Sequence, residues 1–311
     1  METNALKKTA LNDLVNVPLD MIRKDETLPY PIYLKILERP VLFRNPGDEI
    51  TSGRAERLKE KIESVCIPRN ALKLVFERQE SDMDPRTGSF DFAAQLRNLL
   101  FAATRGVDHQ QGIHEENLTQ VERLAGTLAS TLKKHPQLAD RMIRRYSDPE
   151  LYYVSHSVNV AIYSIVVGIK LNLPLERLKI LAFGALIHNI GNVFVPDNIL
   201  FKRTPLSIAE WRVVQEHPMK GAQFLSAFNV APEVLQMIEQ HHERVDGKGY
   251  PIGLSGNQIH LFSRICTIAD VYDALTSTRP YRKAVSPYEA VQIMRQMKGK
   301  FDPNILRMMQ G

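Results

Sequence analysis

Six side chains able to bind a metal or move a proton stand where the sequence otherwise asks for core residues. His156 lies in Tyr153-Val154-Ser155-His156-Ser157-Val158, at the edge of an apolar helical run. His188 ends the run Leu181-Ala182-Phe183-Gly184-Ala185-Leu186-Ile187. His217 precedes Pro218 at a junction between helices, and His241 and His242 follow Val234-Leu235-Gln236-Met237-Ile238. Asp270 interrupts Ile265-Cys266-Thr267-Ile268-Ala269 and Val271-Tyr272. An ionised carboxylate on such a helix is costly to bury unless it is paired or holds a cation. Taken singly, each has a plain reading: a core histidine satisfied by one hydrogen bond, or an aspartate paired with a nearby arginine, here Arg264. Taken together they point to metal binding, because helical bundles build metal sites from inward-facing histidines and carboxylates. Adjacent histidines diverge by about 100° on a continuing helix. His241 and His242 can therefore both serve only if the helix stops there, and Asp246-Gly247-Lys248-Gly249-Tyr250-Pro251 cannot continue it. His109, His114 and His135 lie in polar surroundings and read as solvated surface residues.

The elements that must position these residues are mostly helices. Pro174 sits where a helix would begin and Gly191 where it would end. Ser207-Ile208-Ala209-Glu210 has the pattern of a capping box, Pro218 closes one helix and opens the next, and Phe262 to Ser277 reads as a long apolar helix. Upstream, Phe92, Leu96, Leu99 and Leu100, then Leu118, Val121, Leu124, Leu128 and Leu132, recur at helical spacing. The first 80 residues read differently. Pro31 to Ile36, Pro40 to Phe43 and Ala71 to Phe76 are strand candidates, Asn45-Pro46-Gly47-Asp48 is a turn, and Ser52 to Val65 is an exposed amphipathic helix. The polar stretch 79–90 reads as a linker. The expected fold is α+β overall: a small N-terminal α/β domain (1–80) without a catalytic centre, a linker and helical connector (81–147), and an all-α bundle (148–311).

Composition narrows the function classes. A chain of 311 residues has room for two domains, and its net charge of +5 suits an anionic ligand. No basic cluster interleaves with aromatics, so nucleic acid is not an expected partner. Two distant cysteines, Cys66 and Cys266, each in an apolar run, are no disulfide framework and fit a reducing cytoplasm. The most apolar stretch, Val158 to Leu171, is broken by Asn159, Ser164 and Lys170 and is shorter than the ~20 residues of a membrane span.

The string His241-His242-Glu243-Arg244-Val245-Asp246-Gly247-Lys248-Gly249-Tyr250-Pro251 resembles the signature of the HD-GYP domains. The spacing of His156, His188, His217 and Asp270 around it is similar to that family, as are Ile268 to Ser277 and Arg279-Pro280-Tyr281-Arg282. The resemblance covers roughly residues 148 to 311. It implies a helical HD-type bundle holding two divalent metal ions, iron or manganese, that hydrolyses cyclic di-GMP to linear pGpG or on to GMP. It also implies that the N-terminal part is a regulatory or interaction module.

By the same resemblance His156, His188 and Asp270 would hold one metal, and His217, His241 and His242 the other. Arg279 and Arg282 would clamp the substrate phosphate with Asp273 beside them, and Tyr250 would contact substrate, contact a partner or simply pack. That partner would be a GGDEF-domain protein docking through the GYP loop, and a homodimer is a further expectation. Two positions depart from the family motif His-Asp-Ile-Gly-Lys, which here reads His188-Asn189-Ile190-Gly191-Asn192. Asn189 offers one neutral oxygen where a carboxylate would bridge two metals. Asn192 supplies no cation near the phosphate. Both weaken the expected hydrolysis. The alternative is a non-catalytic protein that binds cyclic di-GMP or a partner and signals by conformation; a third reading is hydrolysis of another phosphorylated substrate.

Overall fold

The computed structural model describes residues 14–19, 22, 24–36, 39–62, 64–68, 71, 115–143, 149–200, 202, 204–278 and 283–309. Its first elements are β1 (Leu14–Pro18), β2 (Ile32–Ile36), β3 (Arg39–Arg44), α1 (Ser52–Lys59) and β4 (Ser64–Pro68). The strands pair antiparallel in the order β1-β4-β2-β3. β2 and β3 match the two strand candidates on either side of residue 38. The chain then reverses at Asn45 to Asp48, where Gly47 takes a φ of 96°, a conformation that costs glycine little. The amphipathic helix expected over residues 52–65 stops at Lys59 instead. Val65, Cys66 and Ile67 are buried, and β-branched residues flanking a small one fit an interior strand better than a solvated helix. Of the strand candidate at 71–76, all but Ala71 lies outside the described residues, as do His109, His114 and the run from Phe92 to Leu100.

The helical part comprises α2 (Glu115–Lys134), α3 (Ala139–Met142), α4 (Pro149–Lys170), α5 (Leu175–Ile187), α6 (Asp197–Leu200), α7 (Ile208–Gln215), α8 (His217–Leu225), α9 (Pro232–Gln240), α10 (Leu261–Thr276), α11 (Pro287–Gln296) and α12 (Pro303–Arg307). Leu118, Val121, Leu124, Leu128 and Leu132 form the buried stripe of α2, which packs on α5 and α4. Each such side chain contributes about 1.5–3 kcal/mol by leaving water. α4 lies against α5 and α10, and α9 is wedged among α5, α8 and α10. β1 also meets α4. No helix among the described residues is long and apolar enough to cross a membrane.

Local signals end the helices. After Lys170, Asn172 takes a φ of 59°. The amides of Asn172 and Leu173 then donate to the carbonyls of Ile169 and Gly168, both at 2.9 Å. This pairing closes the last orphan carbonyls of α4. Pro174 is the N-cap of α5. Ser207 and Glu210 form the expected capping box on α7, and Lys202 anchors Glu210 at 2.7 Å. Gly191 does not end α5, which stops at Ile187; it sits in a 3-10 turn, Ile190–Phe194. A Cβ at Gly191 would lie 1.9 Å from the carbonyl oxygen of His217. Glycine is needed there so that the turn and the start of α8 can touch.

Candidate metal centre

α9 ends at Gln240, and His241 is its C-cap. The two adjacent histidines therefore leave the helical 100° spacing and face the same space. His217, on the first turn of α8, joins them, and the nitrogens of His217, His241 and His242 form one cluster whose ligand atoms lie within 4.8 Å of one another. His156 of α4, His188 after α5 and Asp270 of α10 form a second, by the same measure. The clusters share a wall: the rings of His188 and His241 are 5.2 Å apart, and those of His156 and His188 5.4 Å. The structure thus brings all six expected ligands together.

Hydrogen bonds behind the rings set which nitrogen faces inward. Nδ1 of His188 donates to the carbonyl of Ala185 at 2.7 Å, that of His217 to Val214 at 2.8 Å, and that of His241 to Ile238 at 2.6 Å. Each bond is to the carbonyl three residues back, at the frayed end of a helix or turn. With Nδ1 protonated, Nε2 of each ring carries a lone pair, the form a metal needs. Nε2 of His217 and Nε2 of His241 then face each other at 3.2 Å. Two lone pairs so placed ask for a cation between or beside them, and this donor set fits a metal ion. Burial pulls the His188 imidazole down to about 4 and His242 to about 3, aided in His188 by the nearby His156. It also lowers His217 and holds His241 well below its usual range.

His156 goes the other way. Burial disfavours its charge, but hydrogen bonds to Asp270 (Nε2, 3.2 Å) and Asp273 (Nδ1, 2.8 Å) outweigh it and raise the imidazole to about 9. Asp270 is held well below the carboxylate range, because His156 more than offsets its burial. Nε2 of His156 and Oδ1 of Asp270, 3.2 Å apart, are close enough to share a cation.

Other residues differ from their expected places. The sequence reading set Asp273 against substrate; its carboxylate is instead fully buried, accepting from His156, from Asn159 Nδ2 at 2.9 Å and from Ser277 Oγ at 3.3 Å. Asp270 and Asp273 of α10 and its C-cap Ser277 lie on one side, so one carboxylate reaches the centre while the next holds the ring of His156. Arg264 does not pair with Asp270; it binds Asp302 at 2.7 Å, fastening α10 to the start of α12. Asn189 lies beside the centre, its Nδ2 2.8 Å from Nε2 of His188. Asn192 is half-buried in the following turn. The ring of Tyr250 stacks on His242 with centroids 4.9 Å apart and meets Trp211 edge-on at 6.2 Å. Burial, then the charge of Asp270, keeps its hydroxyl protonated. Arg279 and Arg282 lie outside the described residues.

Glu243 lay inside the signature-like string without a role assigned to it, and Thr267 and Gln240 carried no distinct sequence signal. Glu243, only 2% exposed, accepts from the amides of Ile252 at 2.7 Å and Gly253 at 2.9 Å and so holds the Tyr250 loop against His242. Thr267 donates to the carbonyl of His241 at 2.8 Å. Gln240 accepts from the amide of His260 at 2.8 Å and ties α9 to α10. Asn159 was visible only as a polar break in an apolar run. A separate open groove of about 830 Å³, between α2 and α5 and lined by Glu122, Arg123, Lys134, His135 and Lys179 among others, contains none of the six candidate ligands.

The HD domain family matches residues 126–305. The cyclic di-GMP phosphodiesterase PA4108 of Pseudomonas aeruginosa is 37% identical over 185 residues, 59% of this chain and 44% of that protein. The 3'3'-cGAMP-specific phosphodiesterase 3 of Vibrio cholerae is 39% identical over 145 residues, 47% of this chain and 32% of that protein. The chain thus spans less than half the length of these two curated relatives. Among solved structures, Bd1817, a HDG"Y"P protein from Bdellovibrio bacteriovorus, shares the fold with a TM-score of 0.70 at 22% identity, covering 96% of this chain and 98% of that one. A family match over more than half of the chain, laid across the elements that carry the six candidate ligands, bears out the resemblance read from the sequence: this chain belongs to the HD domain family.

Proposed function

We propose that this chain is a metal-dependent phosphodiesterase that hydrolyses cyclic di-GMP to pGpG or on to GMP. The observation that carries the reading is the pair of adjoining ligand clusters, walled together by His188 and His241. His156, His188 and Asp270 would hold one divalent ion, and His217, His241 and His242 the other. Two histidines and a carboxylate suit iron or manganese. Such a pair supplies Lewis acidity and lowers the pKa of bound water. The protein orients the ligands from behind, through Asp273 and the helix-end carbonyls. It walls the site with Tyr250, whose protonated hydroxyl can only donate or accept a hydrogen bond at neutral pH. Arg279 and Arg282 are the proposed phosphate clamps. Residues 1–80 would form the regulatory unit, and the loop after Tyr250, with half-exposed Ile252 at its tip, would be the docking point for a GGDEF-domain partner.

One observation favours a second reading, binding without turnover. Asn189 stands at the centre without a charge, and its amide occupies the lone pair of His188. Metal analysis of the purified protein, with hydrolysis of cyclic di-GMP measured after adding iron or manganese and 3'3'-cGAMP run beside it, separates the two. Metal with turnover of cyclic di-GMP supports the enzyme. Metal and tight cyclic di-GMP binding with no product supports the binding protein. Turnover of cGAMP alone corrects the substrate.

A further inference from the structure

We propose that Trp211 is a stacking platform for a purine base of the substrate, holding the nucleoside whose phosphate lies at the candidate metal centre; this rests on the phosphodiesterase reading above. Trp211 is the only tryptophan in the chain. It lies in α7, a helix in which no residue is buried, and it is 45% exposed. An indole placed to serve the core would be covered, because large aromatic side chains gain most from leaving water.

A line of ring contacts joins this exposed indole to the candidate centre. Its ring meets that of Tyr250 edge-on, with centroids 6.2 Å apart and planes at 78°. Tyr250 in turn stacks on His242, with centroids 4.9 Å apart and planes at 29°. Trp211 therefore stands two ring contacts from a candidate ligand, a span that one nucleotide covers between its phosphate and its base.

Both sides of this line are held in place. Glu210, the residue before Trp211, accepts from Lys202 on both carboxylate oxygens at 2.7 Å and closes the capping box with Ser207. The Trp211 amide donates to the Ser207 carbonyl at 2.8 Å. Only Glu216 separates α7 from α8, whose first residue is the candidate ligand His217. On the other side, the amide of Tyr250 donates to the carbonyl of His242 at 3.3 Å. An aromatic platform fixed in advance loses little freedom when a ligand stacks on it.

The chemistry selects the occupant. A cyclic dinucleotide brings flat bases within one nucleotide of each phosphate, and a base stacks on an aromatic face whatever its identity. The platform therefore accepts guanine and adenine alike. One face of Tyr250 is taken by His242, whereas Trp211 keeps nearly half of its surface open. Ile208, one turn earlier on α7 and 77% exposed, is apolar but offers no aromatic face. It separates base stacking from general apolar contact.

The fluorescence of the single indole makes the test direct. The full chain, with its metal as purified, is titrated with a non-hydrolysable phosphorothioate analogue of cyclic di-GMP, with GMP, and with ribose 5-phosphate, which lacks the base. The first two should quench Trp211 and the third should not. Trp211→Ala should bind the analogue about 10- to 100-fold more weakly, with metal content and ribose 5-phosphate affinity unchanged. Trp211→Phe should recover most of the affinity, and Ile208→Ala should bind as wild type. Analogue binding that leaves the fluorescence unchanged, or is equally tight in Trp211→Ala, overturns the proposal while the phosphodiesterase reading stands; a partner protein then becomes the better occupant of this face. Equal losses in Trp211→Ala and Ile208→Ala overturn it too, because a stacked base does not need Ile208. If wild type neither binds nor hydrolyses any cyclic dinucleotide, the phosphodiesterase reading fails. GMP then decides the role of Trp211: quenching absent with ribose 5-phosphate supports the platform, and GMP that does not quench overturns it.

Discussion

Asp273 accepts a hydrogen bond from Nδ1 of His156 at 2.8 Å, across 117 residues of chain. This contact fixes the ring of a candidate metal ligand through Nδ1, on the side opposite Nε2, an arrangement that would tune metal affinity from behind. Asp273→Asn should weaken binding at the His156, His188 and Asp270 cluster by about 10- to 100-fold and spare the other cluster. Metal content after dialysis against a mild chelator reads this directly. A variant that retains its full complement would show that Asp273 is only a packing residue.

Asn189→Asp adds a carboxylate beside Nε2 of His188, where an amide now sits at 2.8 Å. It should tighten metal binding by about tenfold or more and raise turnover of cyclic di-GMP. Asp and Asn are nearly the same size, so the folded protein should tolerate it once the metals are present. Unchanged metal content and turnover would mean that position 189 does not act on the metals. More metal with no turnover would favour the binding-protein reading.

Glu243 holds the loop carrying Tyr250 through amides of Ile252 and Gly253. Glu243→Gln replaces one charged acceptor oxygen by a donor that faces donors, at a cost of about 1.5–3 kcal/mol. Amide hydrogen exchange at residues 250–253 should quicken, and turnover should fall while metal content holds. Exchange as slow as in the wild type would remove Glu243 from the account of this loop.

Gly191→Ala is a test of packing. Its methyl would meet the His217 carbonyl at 1.9 Å, and the turn and α8 must separate to admit it. The expected destabilisation is about 3 kcal/mol in urea unfolding, with weaker metal binding at the His217 cluster. Gly53→Ala, where a Cβ meets nothing within 4 Å, serves as the control and should change neither.

What was legible in the sequence was what short-range rules encode. The buried stripe of α2, the capping box at Ser207 and Glu210, and the end of α9 at His241 all follow from spacings of three or four residues or from a loop that cannot stay helical. The six candidate ligands stood out because polar side chains interrupt apolar runs. The tertiary structure decided which of them meet, and what stands behind them. Arg264 lies six residues from Asp270 yet pairs with Asp302, 38 residues away. The family resemblance set Asp273 beside the substrate phosphate, but three residues along a helix from Asp270 its carboxylate lies on the buried wall shared with α4. The glycine at 191 read as a helix end and is a contact point with a helix not yet formed in the sequence view. Periodicity acts over one turn of helix, whereas these pairings depend on how whole helices cross, and no local spacing encodes that.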